Sequence, residues 1–195
     1  MIVSNKNEIP RQKLKDTFQG IKKVDPKQVE AFIGQDYFFT DNNRSKYDFT
    51  KIMTFNLLYS GGGDSEKANI FFKLVEDPKT SLVDNKSFKL IKVIENIVII
   101  SCLIVSDILE ENRKFEGDSN LKNFQDLRQL YSTNNGIIRD FAFSMIDTYV
   151  FPSLEQRPSL LKQDFMKIME TCNYVFVKPH EIRKKYTEYV YTHRQ

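Results

Sequence analysis

The residues of this chain best spaced to hold a metal ion lie in residues 76–87, which have the layout of a calcium-binding loop. Such a loop lies between two helices and supplies oxygen ligands from its first, third, fifth and twelfth positions. Counted from the first residue, these four positions are occupied by Glu76, Pro78, Thr80 and Ser87. The segment therefore offers one carboxylate, two hydroxyl groups and a proline that has no side-chain oxygen.

The apolar residues around this segment complete the pattern of a helix, a loop and a second helix. Val83 is the eighth residue, where an apolar side chain packs against a partner loop. Phe72 and Phe88 flank the segment, and we expect both rings to lie in the core.

Two further segments, residues 40–51 and 153–164, fit the same layout. The first has Tyr47 as its eighth residue and Ile52 after the loop, and its four ligand positions hold Thr40, Asn42, Arg44 and Lys51. The second has Leu160 as its eighth residue and Phe165 after the loop, and its ligand positions hold Ser153, Glu155, Arg157 and Asp164.

The three segments carry zero, one and two carboxylates at these positions, in chain order. Calcium affinity depends on how many charged oxygens converge on the ion. We therefore predict no bound metal and no cofactor, with Glu76, Thr80, Ser87, Glu155 and Asp164 as vestigial loop positions.

The composition favours the helices that such loops require. The chain has 195 residues, 41% of them hydrophobic, with 16 Phe and 9 Tyr and only 7 Gly and 6 Pro to interrupt helices. From Phe88 to Leu109 the apolar residues follow a helical period in an unusually wide stripe. The predicted fold is all-α, with helix–loop–helix pairs in two small lobes and one long central helix.

The stretch that joins the first two loops resembles a known family. It combines Gly61–Gly63, an acidic–lysine pair at Glu66 and Lys67, and an aromatic pair at Phe71 and Phe72. In this respect the chain resembles the neuronal calcium sensor and calcineurin-B-like branch of the EF-hand proteins, over residues 37–100 and more loosely over 137–180. The resemblance implies paired EF-hands, here degenerate, although the N-terminal 35 residues contain no recognisable first hand.

The resemblance and the composition together suggest a division of the chain. We expect a basic N-terminal arm (1–24), a first lobe with a degenerate hand (25–60), a linker and second hand with a long exit helix (61–109), a charged inserted loop (110–135), a third hand (136–177) and a basic C-terminal helix (178–195). The third entering helix is predicted at Ile137–Phe151, where Pro152 stops it.

Because the stripe on the long helix is wider than one contact face requires, part of it could receive a partner. The apolar residues that would line a groove for a partner's amphipathic helix are Phe71, Leu90, Ile94, Ile97, Ile100, Met166 and Met169. Burial in the internal core is the simpler interpretation for each one.

The sequence contains no group of residues that would support catalysis. Its only histidines, His180 and His193, lie in a polar tail away from any candidate nucleophile, so we predict no enzyme. Three basic residues in that tail, Arg183, Lys184 and Lys185, are interleaved with tyrosines and could contact an acidic filament or RNA. A solvated helix face whose tyrosines pack back on the body of the protein is the simpler interpretation.

The sequence also predicts the compartment. We find no pattern of a signal or transit peptide, and the most apolar run, Ile97–Val105, is about half the length of a membrane span. Cys102 and Cys172 are expected to be buried free thiols. The expectation is a cytoplasmic protein that contacts no membrane.

These features lead to one functional hypothesis with two rivals. We expect a non-catalytic, calcium-independent adaptor or structural subunit that holds an amphipathic helix of a partner within a stable assembly. The resemblance extends to the EF-hand subunit of a ciliary complex, the outer dynein arm docking complex, and implies an axonemal or cytoskeletal location. The rivals are a calcium sensor with one weak site and an RNA-binding module that uses the basic termini.

Overall fold

The computed structural model describes residues 8–14, 34–104, 135–152 and 158–193, most of which are helical. The chain divides into two compact units, residues 1–53 and 54–195. The predicted helical character is confirmed, and two short antiparallel sheets accompany the helices.

The helices are named here in chain order. They are α1 (Phe49–Tyr59), α2 (Asp64–Val75), α3 (Phe88–Val98), α4 (Asn135–Met145), α5 (Lys162–Thr171) and α6 (Pro179–His193). Helices α3 and α4 continue directly into π-helical segments, Ile99–Ile104 and Ile146–Val150. Short 3-10 turns occur at Asp36–Phe38 and Val175–Val177. The strands are β1 (Glu8–Pro10), β2 (Lys46–Asp48), β3 (Val83–Asp84) and β4 (Ser159–Leu160).

In the first unit, the N-terminal segment supplies a strand. Strand β1 pairs with β2 in antiparallel register, and Ile9 lies opposite Tyr47. Tyr47 is buried and stacks on Phe39 with 4.5 Å between ring centroids. The eighth residue of the 40–51 segment is therefore paired, but its partner is a strand from the predicted basic arm.

The start of α2 follows from its first turn and from the glycines before it. Gly62 has a φ of 113°, which side-chain-bearing residues rarely adopt. The Glu66 carboxylate accepts a hydrogen bond of 3.0 Å from the Gly63 amide, and Asp64 and Glu66 place negative charge at the helix N-terminus. The predicted linker is thus a turn that starts a helix.

In the second unit, the two helix–loop–helix segments pack against each other crosswise. Helix α2 contacts α5, and α3 contacts α4, so the helix that enters each loop lies against the helix that leaves the other loop. The loops themselves meet through β3 and β4, in which Val83 lies opposite Leu160. These are the two residues that the sequence placed eighth in their segments.

Helix α3 and its π-helical continuation form the centre of the second unit. Seven residues of α3 and four of the continuation are buried: Leu90, Ile91, Val93, Ile94, Asn96, Ile97, Val98, Ile100, Ser101, Cys102 and Ile104. The chain itself covers this wide apolar face with α2, α4 and α6. The remaining side is open, and Lys89 and Lys92 lie exposed on it.

One predicted core residue lies elsewhere. Phe88 is 67% exposed, whereas Phe72 is buried as expected. Phe88 is the first residue of α3, and the buried face of that helix begins at Leu90. The prediction for Phe88 is therefore wrong, because the first residue of the helix lies outside its buried face.

Other helix predictions are confirmed. The third entering helix was predicted at Ile137–Phe151 and runs from Asn135 to Val150 with its π-helical end. The last helix lies within the predicted basic C-terminal segment. The inserted loop, the end of the long helix beyond residue 104 and most of the N-terminal arm lie outside the described residues.

Candidate functional site

The candidate site is the pair of loops joined by β3 and β4, together with the helices that enter and leave them. Beyond the strand register, the amide of Asn85 donates a 3.0 Å hydrogen bond to the Pro158 carbonyl. At the sixth position of the first of these loops, Ser81 has a φ of 57°. This is the left-handed conformation for which calcium loops keep a glycine.

The candidate ligands of residues 76–87 are engaged in local contacts instead of facing one point. The hydroxyl of Thr80 accepts a 3.3 Å hydrogen bond from the Leu82 amide, and the hydroxyl of Ser87 accepts one of 3.3 Å from the Leu90 amide. Ser87 is thereby the N-cap of α3. The donor set does not fit calcium, because two of the oxygens are used and Pro78 offers none.

Two ammonium groups surround the first residue of the loop. The Lys73 Nζ donates to Glu76 Oε1 at 2.7 Å, and the Lys89 Nζ donates to the Glu76 carbonyl at 3.0 Å. The Glu76 side chain is 12% exposed, and its Oε2 is buried without a hydrogen-bond partner in the described part of the chain. Lysine cations therefore lie beside the one carboxylate at the four main ligand positions of this loop.

The exit helix of this loop has a different register from the other two. Phe88 begins α3 five residues after Val83, whereas α1 and α5 each begin two residues after Tyr47 and Leu160. The third helical residue, which is Lys51 in α1 and Asp164 in α5, is Leu90 in α3. The twelfth residue of this loop, Ser87, therefore lies before the helix as its N-cap, and the third helical residue is a buried leucine.

In residues 40–51 the charged groups are engaged by neighbouring side chains and by a backbone carbonyl. Lys51 donates a 2.6 Å hydrogen bond to the Tyr37 carbonyl and lies 4.4 Å from the centroid of that ring. Arg44 forms an ion pair with Asp36. Asp41 accepts hydrogen bonds from the hydroxyl and amide of Ser45, and the hydroxyl holds the pKa of the carboxyl below its usual value.

The third loop is only partly described. Glu155 lies outside the described residues, while Asp164 is half-buried in the first turn of α5. A cavity of about 620 Å³ lies beside it, lined by Thr148, Tyr149, Pro152, Asp164, Lys167, Ile168, Thr171 and Cys172. Within the described ranges, no three His, Cys, Asp or Glu residues are grouped to hold a metal ion.

The residues predicted to line a partner groove lie in the core. Six of them are fully buried: Phe71, Leu90, Ile94, Ile97, Ile100 and Met169. Met166 is half-buried and lines a separate cleft with Ser65 and Tyr174. Phe71 packs edge-on against Phe165, with 5.4 Å between ring centroids.

Helix α6 covers part of the face that these residues share. It packs on α3, on the π-helical continuation of α3 and on α4. Its buried side chains, Ile182, Tyr186 and Val190, recur every four residues, and Tyr186 meets the Phe141 ring edge-on at 5.1 Å. The face therefore holds an amphipathic helix, and that helix belongs to the same chain.

Two of the three basic residues in α6 have partners inside the second unit. Arg183 donates a 3.2 Å hydrogen bond to the Ser101 carbonyl, and Lys185 donates one of 2.6 Å to the Tyr149 hydroxyl. Lys184 is exposed. Burial raises the pKa of Tyr59, and the guanidinium of Arg183 opposes that rise.

The residues that sequence reasoning missed are Lys73 and Lys89. Neither stands at a ligand position, so the spacing could not identify them. The sequence did contain one sign that cations contact these loops: in residues 40–51, Arg44 and Lys51 stand at ligand positions.

Among the described helices, none has both the length and the apolar character needed to cross a membrane. Comparison with protein-family models, with curated proteins and with solved structures finds no match to this chain.

Proposed function

We propose that this protein is a non-catalytic, calcium-independent adaptor built on a degenerate EF-hand pair. The observation that carries the proposal is the pairing of Val83 with Leu160, together with the lysines of the same chain that contact Glu76 in the first of the two loops. The pairing supports the layout of two hands that share a ladder. The lysines support a scaffold that needs no metal.

The binding activity that we propose is to hold an amphipathic helix of a partner on the face that α6 covers. The face already accepts a helix with apolar residues at four-residue spacing, which defines the pattern a partner helix would have. Burial of each large apolar side chain contributes about 1.5–3 kcal/mol. A partner helix with a longer apolar stripe than α6 would therefore displace it and form a stable subunit contact.

Arg183 and Lys185 bear on the RNA-binding alternative. Their cations have partners within the chain, so a nucleic acid would have to compete for them. We therefore favour a protein partner, within a cytoplasmic assembly that we propose to be cytoskeletal or ciliary on the basis of the resemblance alone.

The calcium part of the proposal is tested by isothermal titration calorimetry and by far-UV circular dichroism. We expect no heat of binding and no change in helicity up to about 1 mM calcium, the range of weak extracellular sites. Saturable binding accompanied by a change in helicity would favour the calcium sensor and contradict the proposal.

The partner part is tested by purification from native cells at low salt, with chelator and with calcium, followed by cross-linking. We expect the same partner in both conditions, with cross-links from one amphipathic segment to Lys92 on α3. Cross-links confined to the loops, or a partner that is retained only with calcium, would contradict the proposal.

A further inference from the structure

The loops of both units contain the same contact between a lysine of the exit helix and the chain that enters the loop. In the first unit, Lys51 is the third residue of α1 and reaches the carbonyl of Tyr37 at 2.6 Å. In the second unit, Lys89 is the second residue of α3 and reaches the carbonyl of Glu76 at 3.0 Å. The same contact thus occurs twice, in loops with different exit-helix registers.

The Lys89 contact lies where a positive charge is stabilising. Glu76 is the C-cap of α2, and the last carbonyls of a helix carry partial negative charge. The carboxylate of the same residue adds a full negative charge and is paired with Lys73 at 2.7 Å. Two ammonium groups therefore meet the carbonyl oxygen and one carboxylate oxygen of Glu76, and each hydrogen bond is charge-assisted.

A bound calcium ion would join the same two parts of such a loop. It takes oxygens from the first position, next to the entering helix, and from the twelfth, in the exit helix. In this chain those oxygens do not converge, but the entering and exit sides are joined directly through a lysine. The contact between the two sides is made without a metal.

We propose that Lys51 and Lys89 are internal cationic clamps that take over the linking role of calcium and hold each loop in one conformation. This inference deepens the proposed function and rests on its calcium-independent hand pair. It adds the reason why the scaffold stays ordered without metal: the positive charge is covalently attached and always present.

The test measures amide hydrogen exchange in the loop of the full chain. The Asp77 amide bonds to the Leu82 carbonyl at 2.9 Å, and the Ser81 amide bonds to the Asp77 carbonyl at 2.7 Å, so both report loop opening. We expect Lys89→Met to speed exchange at these amides roughly fivefold, the effect of one lost hydrogen bond of ordinary net strength.

Two matched variants make the test specific. Lys86→Met removes an exposed lysine from the same loop and is expected to leave both exchange rates within about twofold of wild type. Lys89→Arg keeps the positive charge and is expected to retain most of the protection. Equal acceleration by Lys86→Met and Lys89→Met, or no acceleration by Lys89→Met, would overturn the clamp.

Different experimental results would contradict the clamp and the proposed function. Calcium binding by the wild-type chain contradicts the proposed function whatever the exchange rates are. Exchange that is insensitive to Lys89, in a chain that binds no calcium, contradicts the clamp and leaves the adaptor in place.

Discussion

The sharpest prediction compares two phenylalanines that the loop pattern treats as equivalent. Phe88 and Phe165 each directly follow a twelve-residue segment. Phe165 is 0% exposed and its ring lies 5.4 Å from those of both Phe71 and Phe72, whereas Phe88 is 67% exposed. The two truncations to alanine should therefore differ greatly in their effect on stability.

The expected magnitudes follow from burial. Phe165→Ala removes a fully buried ring and leaves a cavity among aromatic neighbours, which costs about 3–5 kcal/mol. Phe88→Ala removes a ring of which a third is covered. Since full burial of such a side chain contributes about 1.5–3 kcal/mol, the cost should be below about 1 kcal/mol.

Urea unfolding, monitored by far-UV circular dichroism, measures the loss of unfolding free energy in each variant. The loss is calculated from the shift of the transition midpoint, with the dependence on urea concentration unchanged. If Phe165→Ala does not fold, Phe165→Leu replaces it with an expected loss of about 1–2 kcal/mol. Equal losses from the matched substitutions at residues 88 and 165 would show that Phe88 is a core residue, and would refute its exposure at the start of α3.

Three further predictions concern single side chains. Ser87→Ala removes the N-cap of α3 and should lower the free energy of unfolding by about 1 kcal/mol in the same urea assay; an unchanged midpoint would contradict that role. A charged thiol reagent should label the half-buried Cys172 but not the buried Cys102 in the native chain, and Cys172→Ser should abolish the labelling. Burial raises the pKa of Cys102 from 9.0 to about 12, so its contribution to stability is complete below pH 9 and is lost as the pH rises toward 12. Cys102→Ala should therefore lose less stability than wild type between these pH values, and parallel pH profiles would contradict this.

The helices were predictable because their patterns are local. Pro152 marked the end of the third entering helix, and the helix does end at Val150 after its π-helical turn. The loop layout also placed Val83 and Leu160 at the eighth position, where an apolar residue packs against a partner loop, and these two residues pair with each other. In each case the information lies within a few residues of the element it describes.

The groove could not be predicted in the same way. The apolar stripe of α3 shows that the helix must be covered, but the sequence does not say by what. Ile97 and Ile100 are buried by helices that are distant in the chain, including α6, whose low content of apolar residues indicated a solvated face. Which surfaces meet depends on how all the helices pack together.

The substitutions at the ligand positions already argued against a calcium cage, because ligand chemistry is a property of residue type. Residue types and spacing were also enough to define the loops and most of their helices. The folded chain added the exposure of Phe88 in the first turn of α3 and the approach of Lys89 to the Glu76 carbonyl. Both depend on how α2 and α3 pack against each other across the loop, which residue types and spacing alone do not specify.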